Sequence, residues 1–166
     1  MIRRLAPLLA LALATTAIAN PPNETKRTLR MSIEGASQIL SIPYVSVDVH
    51  SAQSQTNILG NNQESGWAIG SRNTPVTMTF DFALAPDEDG STLKLQLNRG
   101  RQIFALRAFE ETPIDEGHVS VYTYRVTGGL VADLKLSGKP GAMKGTLKIT
   151  CDRVDMTKGT SAVSHQ

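Results

Sequence analysis

The chain has 166 residues, 40% of them hydrophobic, with 17 lysines and arginines against 15 aspartates and glutamates. That is length and apolar content enough for one domain with its own core. The basic excess rests on Arg3 and Arg4; without them the charges balance at 15 each, so a nucleic-acid partner is not expected, and the single cysteine excludes an internal disulfide.

Residues 1–19, MIRRLAPLLALALATTAIA, place two arginines before an apolar run from Leu5 to Ala14 and a small-residue site, Ala17-Ile18-Ala19. This reads as a secretory signal peptide cleaved after Ala19, because the run is too short to cross a bilayer. The expected product is an exported bacterial protein, periplasmic or extracellular, with no membrane span. Residues 20–27, NPPNETKR, read as a flexible N-terminus, and Asn23-Glu24-Thr25 forms a glycosylation sequon.

Strand patterns then dominate. Leu29, Met31 and Ile33 alternate with Arg30, Ser32 and Glu34 before Gly35; Val45, Val47 and Val49 alternate with Tyr44, Ser46, Asp48 and His50. Residues 51–66, SAQSQTNILGNNQESG, break the alternation around Ile58-Leu59 and read as a long loop, which in a compact domain is usually functional or mobile. Val76, Met78, Phe80, Phe82 and Leu84 alternate with Thr77, Thr79 and Asp81, the clearest strand of the chain.

Residues 91–99 carry two signals. Leu93, Leu95 and Leu97 alternate as in a strand, whereas Asp89 or Ser91 would cap a helix and Gly100 would end one; a short helix is expected. Ile103 to Phe109 is a further strand, and EETPIDEGH a turn. In VSVYTYRVTGGLVADLKLSG, Gly128-Gly129 is a hairpin signal. A two-residue turn would set charges opposite tyrosines, while an uninterrupted strand keeps Tyr122, Tyr124, Val126, Leu130, Ala132, Leu134 and Leu136 on one face. One strand bent at the glycines is therefore expected over residues 120–136, with a hairpin of odd loop length as the alternative. After the turn SGKPGAMKG, a last strand runs from Thr146 to Met156 with a bulge near Asp152-Arg153, and residues 159–166 read as a disordered tail.

The search for chemistry returns little. His50 and Asp48 share a strand face, but His118 and His165 fall elsewhere, and an exposed polar face is the simpler reading than a ligand set. Asp87-Glu88-Asp89-Gly90 resembles a fragment of a calcium loop without its full ligand series, and reads as a solvated turn. Cys151 follows Leu147 and Ile149 on one face, as a buried small hydrophobe does, an intermolecular bridge being the alternative. No nucleophile elbow, P-loop or dinucleotide fingerprint is present. Catalytic, cofactor-binding and metal-binding sets are therefore expected to be absent, and the protein is not read as an enzyme.

The order of elements carries more information. A strand ending MSIEG, a valine-rich strand, a Gln/Asn/Gly loop, VTMTFDF, a short leucine-rich segment ending at Gly100, a strand, then YTYRVTGGLVADLKLSG and TLKITCDRV follow one another. This resembles the haemolysin-coregulated protein (Hcp) family, the tube-forming proteins of bacterial type VI secretion, over roughly residues 29–157. The resemblance implies an all-β fold: a small closed or nearly closed antiparallel β-barrel over residues 28–158, with one short helix and a long loop. It also implies homo-oligomeric rings, hexameric in the family, that stack into a tube and meet secretion components or effector proteins. The signal peptide departs from the family, whose tube assembles in the cytoplasm, so the fold is expected here in an exported relative.

Two functional readings follow. In the first the chain is a non-enzymatic structural or interaction protein that forms a ring, with Ile58, Leu59 and Trp67 as candidate interface residues; Trp67 is equally readable as core. In the second it is a monomeric β-barrel module that binds a small ligand or a protein partner.

Overall fold

Leu29, Met31 and Ile33 lie on strand β1 (Lys26–Ile33) and are all but fully buried. The structure is a computed structural model, and it describes residues 24–52, 56–59, 65–86, 90–115, 117–139 and 141–162. The expected signal peptide lies outside the described residues, and β1 begins inside the segment expected to be a flexible N-terminus. From β1 the chain runs through β2 (Leu40–Pro43), β3 (Ser46–His50), β4 (Thr56–Leu59), β5 (Ser65–Ile69), β6 (Val76–Ala83), α1 (Ser91–Gln96), β7 (Gln102–Asp115), β8 (His118–Ser137), β9 (Lys144–Cys151) and β10 (Val154–Ala162). The fold is all-β with one short helix, as expected.

All pairings between named strands are antiparallel. β2, β1, β7, β8, β10, β5 and β4 follow one another across the sheet, while β9 joins the second half of β8 to β6, and β6 joins β3. The two ends of the sheet approach one another through residues 43–46. Tyr44 donates its N–H to the Arg27 carbonyl on β1 at 3.2 Å, and Val45 donates to the Asp81 carbonyl on β6 at 2.7 Å. β2 and β3 share no ladder, so the barrel is nearly rather than fully closed. This corner corrects one facing. Tyr44 is buried and Val45 is 62% exposed, because an extra residue in the crossing reverses the alternation before Val47 and Val49.

The glycine pair does not turn the chain back: β8 is one strand of 20 residues through Gly128 and Gly129. Its apolar phase nonetheless breaks there. Val126 and Val131 are buried while Leu130 is half exposed, and the register against β9 shifts between Val131 and Asp133, returning Leu134 and Leu136 to the core side. Gly128 holds φ at 79°, a conformation that costs other residues about 1 kcal/mol or more, and this is what permits the reversal. Two neighbours are interrupted at the same level. On β7, Phe104 is the extra residue between Ile103 and Ala105 opposite β1; beyond β8, the pairing passes from Cys151↔Gly129 to Val154↔Val126 across Asp152-Arg153. The three interruptions form one crease across the sheet, the use bulges commonly have at barrel corners. Phe104 and Leu130 emerge on its outer side.

Other boundaries differ from expectation. The segment 51–66 is not one loop, since β4 and β5 pair as a hairpin. β7 continues to Asp115 by pairing with β8, so the segment EETPIDEGH belongs largely to the ladder, whose last pair is Asp115 with His118. The expected last strand divides into β9 and β10, and β10 runs beyond Lys158 to Ala162. The helix over 91–96 forms, but its N-cap is Gly90 with no side-chain cap hydrogen bond, and it ends before Gly100. Gly100 instead donates to the Val131 carbonyl at 2.8 Å, fixing the post-helix turn to β8. Leu93 and Leu97 pack inward and Leu95 is exposed, the spacing of a helix and not a strand. Among the described residues no helix is long and apolar enough to cross a membrane.

Candidate interaction surfaces

Ile58, Leu59 and Trp67 all fall on the β4–β5 hairpin. β5 pairs with β10, setting Trp67 opposite Met156, and β4 pairs only with β5, with Ile58 opposite Gly66 and Leu59 opposite Ser65. The outer edge of β4 therefore carries backbone donors and acceptors without a strand partner among the described residues. Such an edge is a template for pairing with another chain. Trp67 is half-buried and packs against the core. The backbones of Ile58 and Leu59 belong to β4; their side chains lie outside the described residues.

A polar cluster, not anticipated from the sequence, lies on the inward side of β1, β7 and β8, partly open to solvent. Arg27 and Glu110 are cross-strand partners on β1 and β7, and Arg27 Nε lies 3.6 Å from Glu110 Oε1. Tyr44 donates its hydroxyl to the Phe109 carbonyl at 3.3 Å. Burial, followed by the Glu110 carboxylate, raises the Tyr44 phenol well above the ordinary tyrosine range. The same causes push Tyr124 up to about 12. Both phenols therefore stay protonated at neutral pH, where they can donate hydrogen bonds. The alternation hid the cluster: Arg27 falls in a segment read as flexible, and Tyr44 was expected on the outer face.

Cys151 is buried, with its thiol directed at the Val76 carbonyl, Sγ to O 3.9 Å. Burial, and then the neighbouring Asp152, push its pKa up to about 11, which agrees with a small core residue. Asp48 and His50 are exposed on β3. His118 opens β8, where its Nδ1 lies 2.8 Å from the Asp115 carboxylate across the exposed turn. Asp87, Glu88 and Asp89 lie outside the described residues. Among the described residues no group of three or more side chains could hold a metal ion.

The raised values have a consequence for alkaline stability. The folded state holds the protons of Cys151 and Tyr124 more tightly than the unfolded chain does. Their contribution is thus complete below about pH 9 and is lost as pH rises through about 11 and 12. The urea midpoint should fall between pH 9 and 12 without a matching fall from these groups between pH 7 and 9. Ellman's reagent at pH 8 should react with native Cys151 at least about tenfold more slowly than with the urea-unfolded chain. Equal rates would show that the thiol is not buried as described.

No protein-family model matches the chain, and no curated protein matches it in sequence.

Proposed function

We propose that the chain is a non-enzymatic, exported structural protein, resembling Hcp, that assembles with copies of itself into a ring. The observation that carries the reading is the outer edge of β4, which has no strand partner among the described residues beyond β5 on its other side. The run of seven strands begins at β2 and ends at β4, so its two terminal strands present unlike edges. Contacts between unlike edges are head-to-tail, and they stop growing only when the rotation closes into a ring. The balanced charge of residues 20–166 adds no long-range repulsion between subunits.

Light scattering coupled to size exclusion on residues 20–166 should give a mass several times that of the subunit. Ile58→Asp and Leu59→Asp should each shift it toward the monomer, because a carboxylate on an edge strand opposes pairing with another chain. Intact mass of the exported protein should show cleavage after Ala19. A monomer at all workable concentrations would overturn the ring. It would favour the second reading, a monomeric binding module, for which a cavity of about 380 Å³ bordered by Leu40, Ile42, Leu84 and Leu93 is the supporting observation.

A further inference from the structure

We infer that the outer face of β1, β7 and β8 is a binding site for a linear ligand bearing closely spaced phosphate groups. The sequence contains apolar–Arg–apolar three times, as Leu29-Arg30-Met31, Leu106-Arg107-Ala108 and Tyr124-Arg125-Val126. Strand alternation sends each arginine outward between two core residues. The register then brings them together: Arg30 is directly opposite Arg107, and Arg107 directly opposite Arg125. Three exposed guanidinium side chains thus stand in one row, on strands spaced about 4.8 Å apart.

Like charges directly opposite one another destabilise a sheet. Elsewhere the outward rows avoid this: Lys26 faces Glu111, and Lys148 stands between Thr79 and Asp133. In the arginine row none of the three makes an ion pair among the described residues. Asp155, the next residue in the row, is engaged by Arg153, with Nε to Oδ1 at 2.6 Å. Arg30 lies over the Phe109 ring, 5.8 Å from its centroid.

The flanking rows supply hydroxyls and no carboxylate: Thr28, Thr123 and Thr157 on one side, Ser32 and Thr127 on the other. Arg107, Arg125, Thr123 and Thr157 border a shallow groove of about 320 Å³. Arginine forks match phosphate oxygens bidentately, and a phosphate has enough acceptor oxygens for two neighbouring forks to share it. Because the cations form a line, a chain of phosphates satisfies all three where one small anion reaches only two. The site lies on the faces of β1, β7 and β8, whereas the ring reading uses the edges of β2 and β4.

The test is calorimetric titration of residues 20–166 with inorganic tripolyphosphate, against sodium chloride at matched ionic strength. Saturable binding beyond the chloride control is expected. Arg107→Gln and Arg125→Gln should each weaken it about tenfold or more, while Lys148→Gln, on the β9 face, should leave it unchanged. Without ligand, both arginine variants should melt at or above the temperature of the parent, since each relieves repulsion. Vesicles of phosphatidylcholine containing phosphatidylglycerol separate the sources of phosphate: binding to tripolyphosphate alone assigns a free chain, and binding to the vesicles as well assigns a lipid headgroup. No binding beyond chloride, unchanged binding by the Arg107→Gln/Arg125→Gln double variant, or a clear drop in melting temperature of the single variants would overturn the inference.

Discussion

Gly70→Ala is expected to lower stability by about 3 kcal/mol or more. Gly70 follows β5 and holds φ at 94°, where any side chain adds about 1–2 kcal/mol of strain. The added methyl would also collide with Val76 Cγ2 and lie 2.6 Å from the Asp152 carbonyl oxygen, with Arg153 Cα at 3.4 Å. Two of those three neighbours are backbone, at the point where β9 gives way to β10, and backbone cannot rotate away as a side chain can. Overpacking of this kind costs a further 1–3 kcal/mol or so. Gly128→Ala is the matched control, since Gly128 shares the positive φ but has no atom within 4 Å of an added Cβ. It should lose about 1 kcal/mol, the backbone contribution alone. Urea unfolding of the two variants beside the parent measures the difference. Equal losses would mean that Gly70 is not pressed against the crease.

The crease also explains which parts of the fold could be read from the sequence. Along β1, β6 and β9 the alternation is unbroken, and Leu29, Met31 and Ile33, Val76 to Phe82, and Leu147 to Cys151 all lie inward as expected. The reading fails at Tyr44-Val45, where one added residue reverses the parity, and at Leu130-Val131, where the positive φ of Gly128 precedes the reversal. An added residue is defined by the partner strand that leaves it unpaired, so a single strand read alone does not reveal it. Gly128-Gly129 did mark the site of a bend, but not that the phase would break there. The hairpin of β4 and β5 was missed because its polar surroundings look like a loop, whereas its ladder depends on β10, 85 to 93 residues later.

The same limit applies to the surfaces. Trp67 was legible as a residue of either core or contact; it stands opposite Met156, half-buried and packed against the core. Arg30, Arg107 and Arg125 each look like an ordinary outward residue of a half-exposed strand. Their meaning arises only from the register that joins β1 to β7 and β7 to β8. Arg27 and Glu110 are likewise neighbours only through that register, 83 positions apart in the chain but opposite one another in the sheet.

Phe80→Ala should cost about 3–5 kcal/mol, the range for removing a fully buried phenylalanine from a core. Phe80 is completely buried at the middle of β6, with Val47 of β3 on one side and Leu147 of β9 on the other. Hydrogen-bonded strands flank it on both sides, so the walls of the cavity cannot collapse inward without breaking ladders. Its ring also meets Tyr44 edge to face, with centroids 5.3 Å apart and an interplanar angle of 82°, a contact worth about 0.5–1.5 kcal/mol beyond its area. That contact links the core to the barrel's closure, because Tyr44 and Val45 carry the bonds that join β1 to β6. Phe80→Ala should therefore accelerate hydrogen exchange at the Tyr44 and Val45 amides more than at the Ile149 amide of β9. Phe80→Leu, which keeps most of the volume but not the ring edge, should lose about 1.5 kcal/mol or less in urea yet still accelerate exchange at Tyr44. Uniform acceleration across all three amides in both variants would show that the closure opens only with the whole domain, and that the Tyr44–Phe80 contact does not hold it separately.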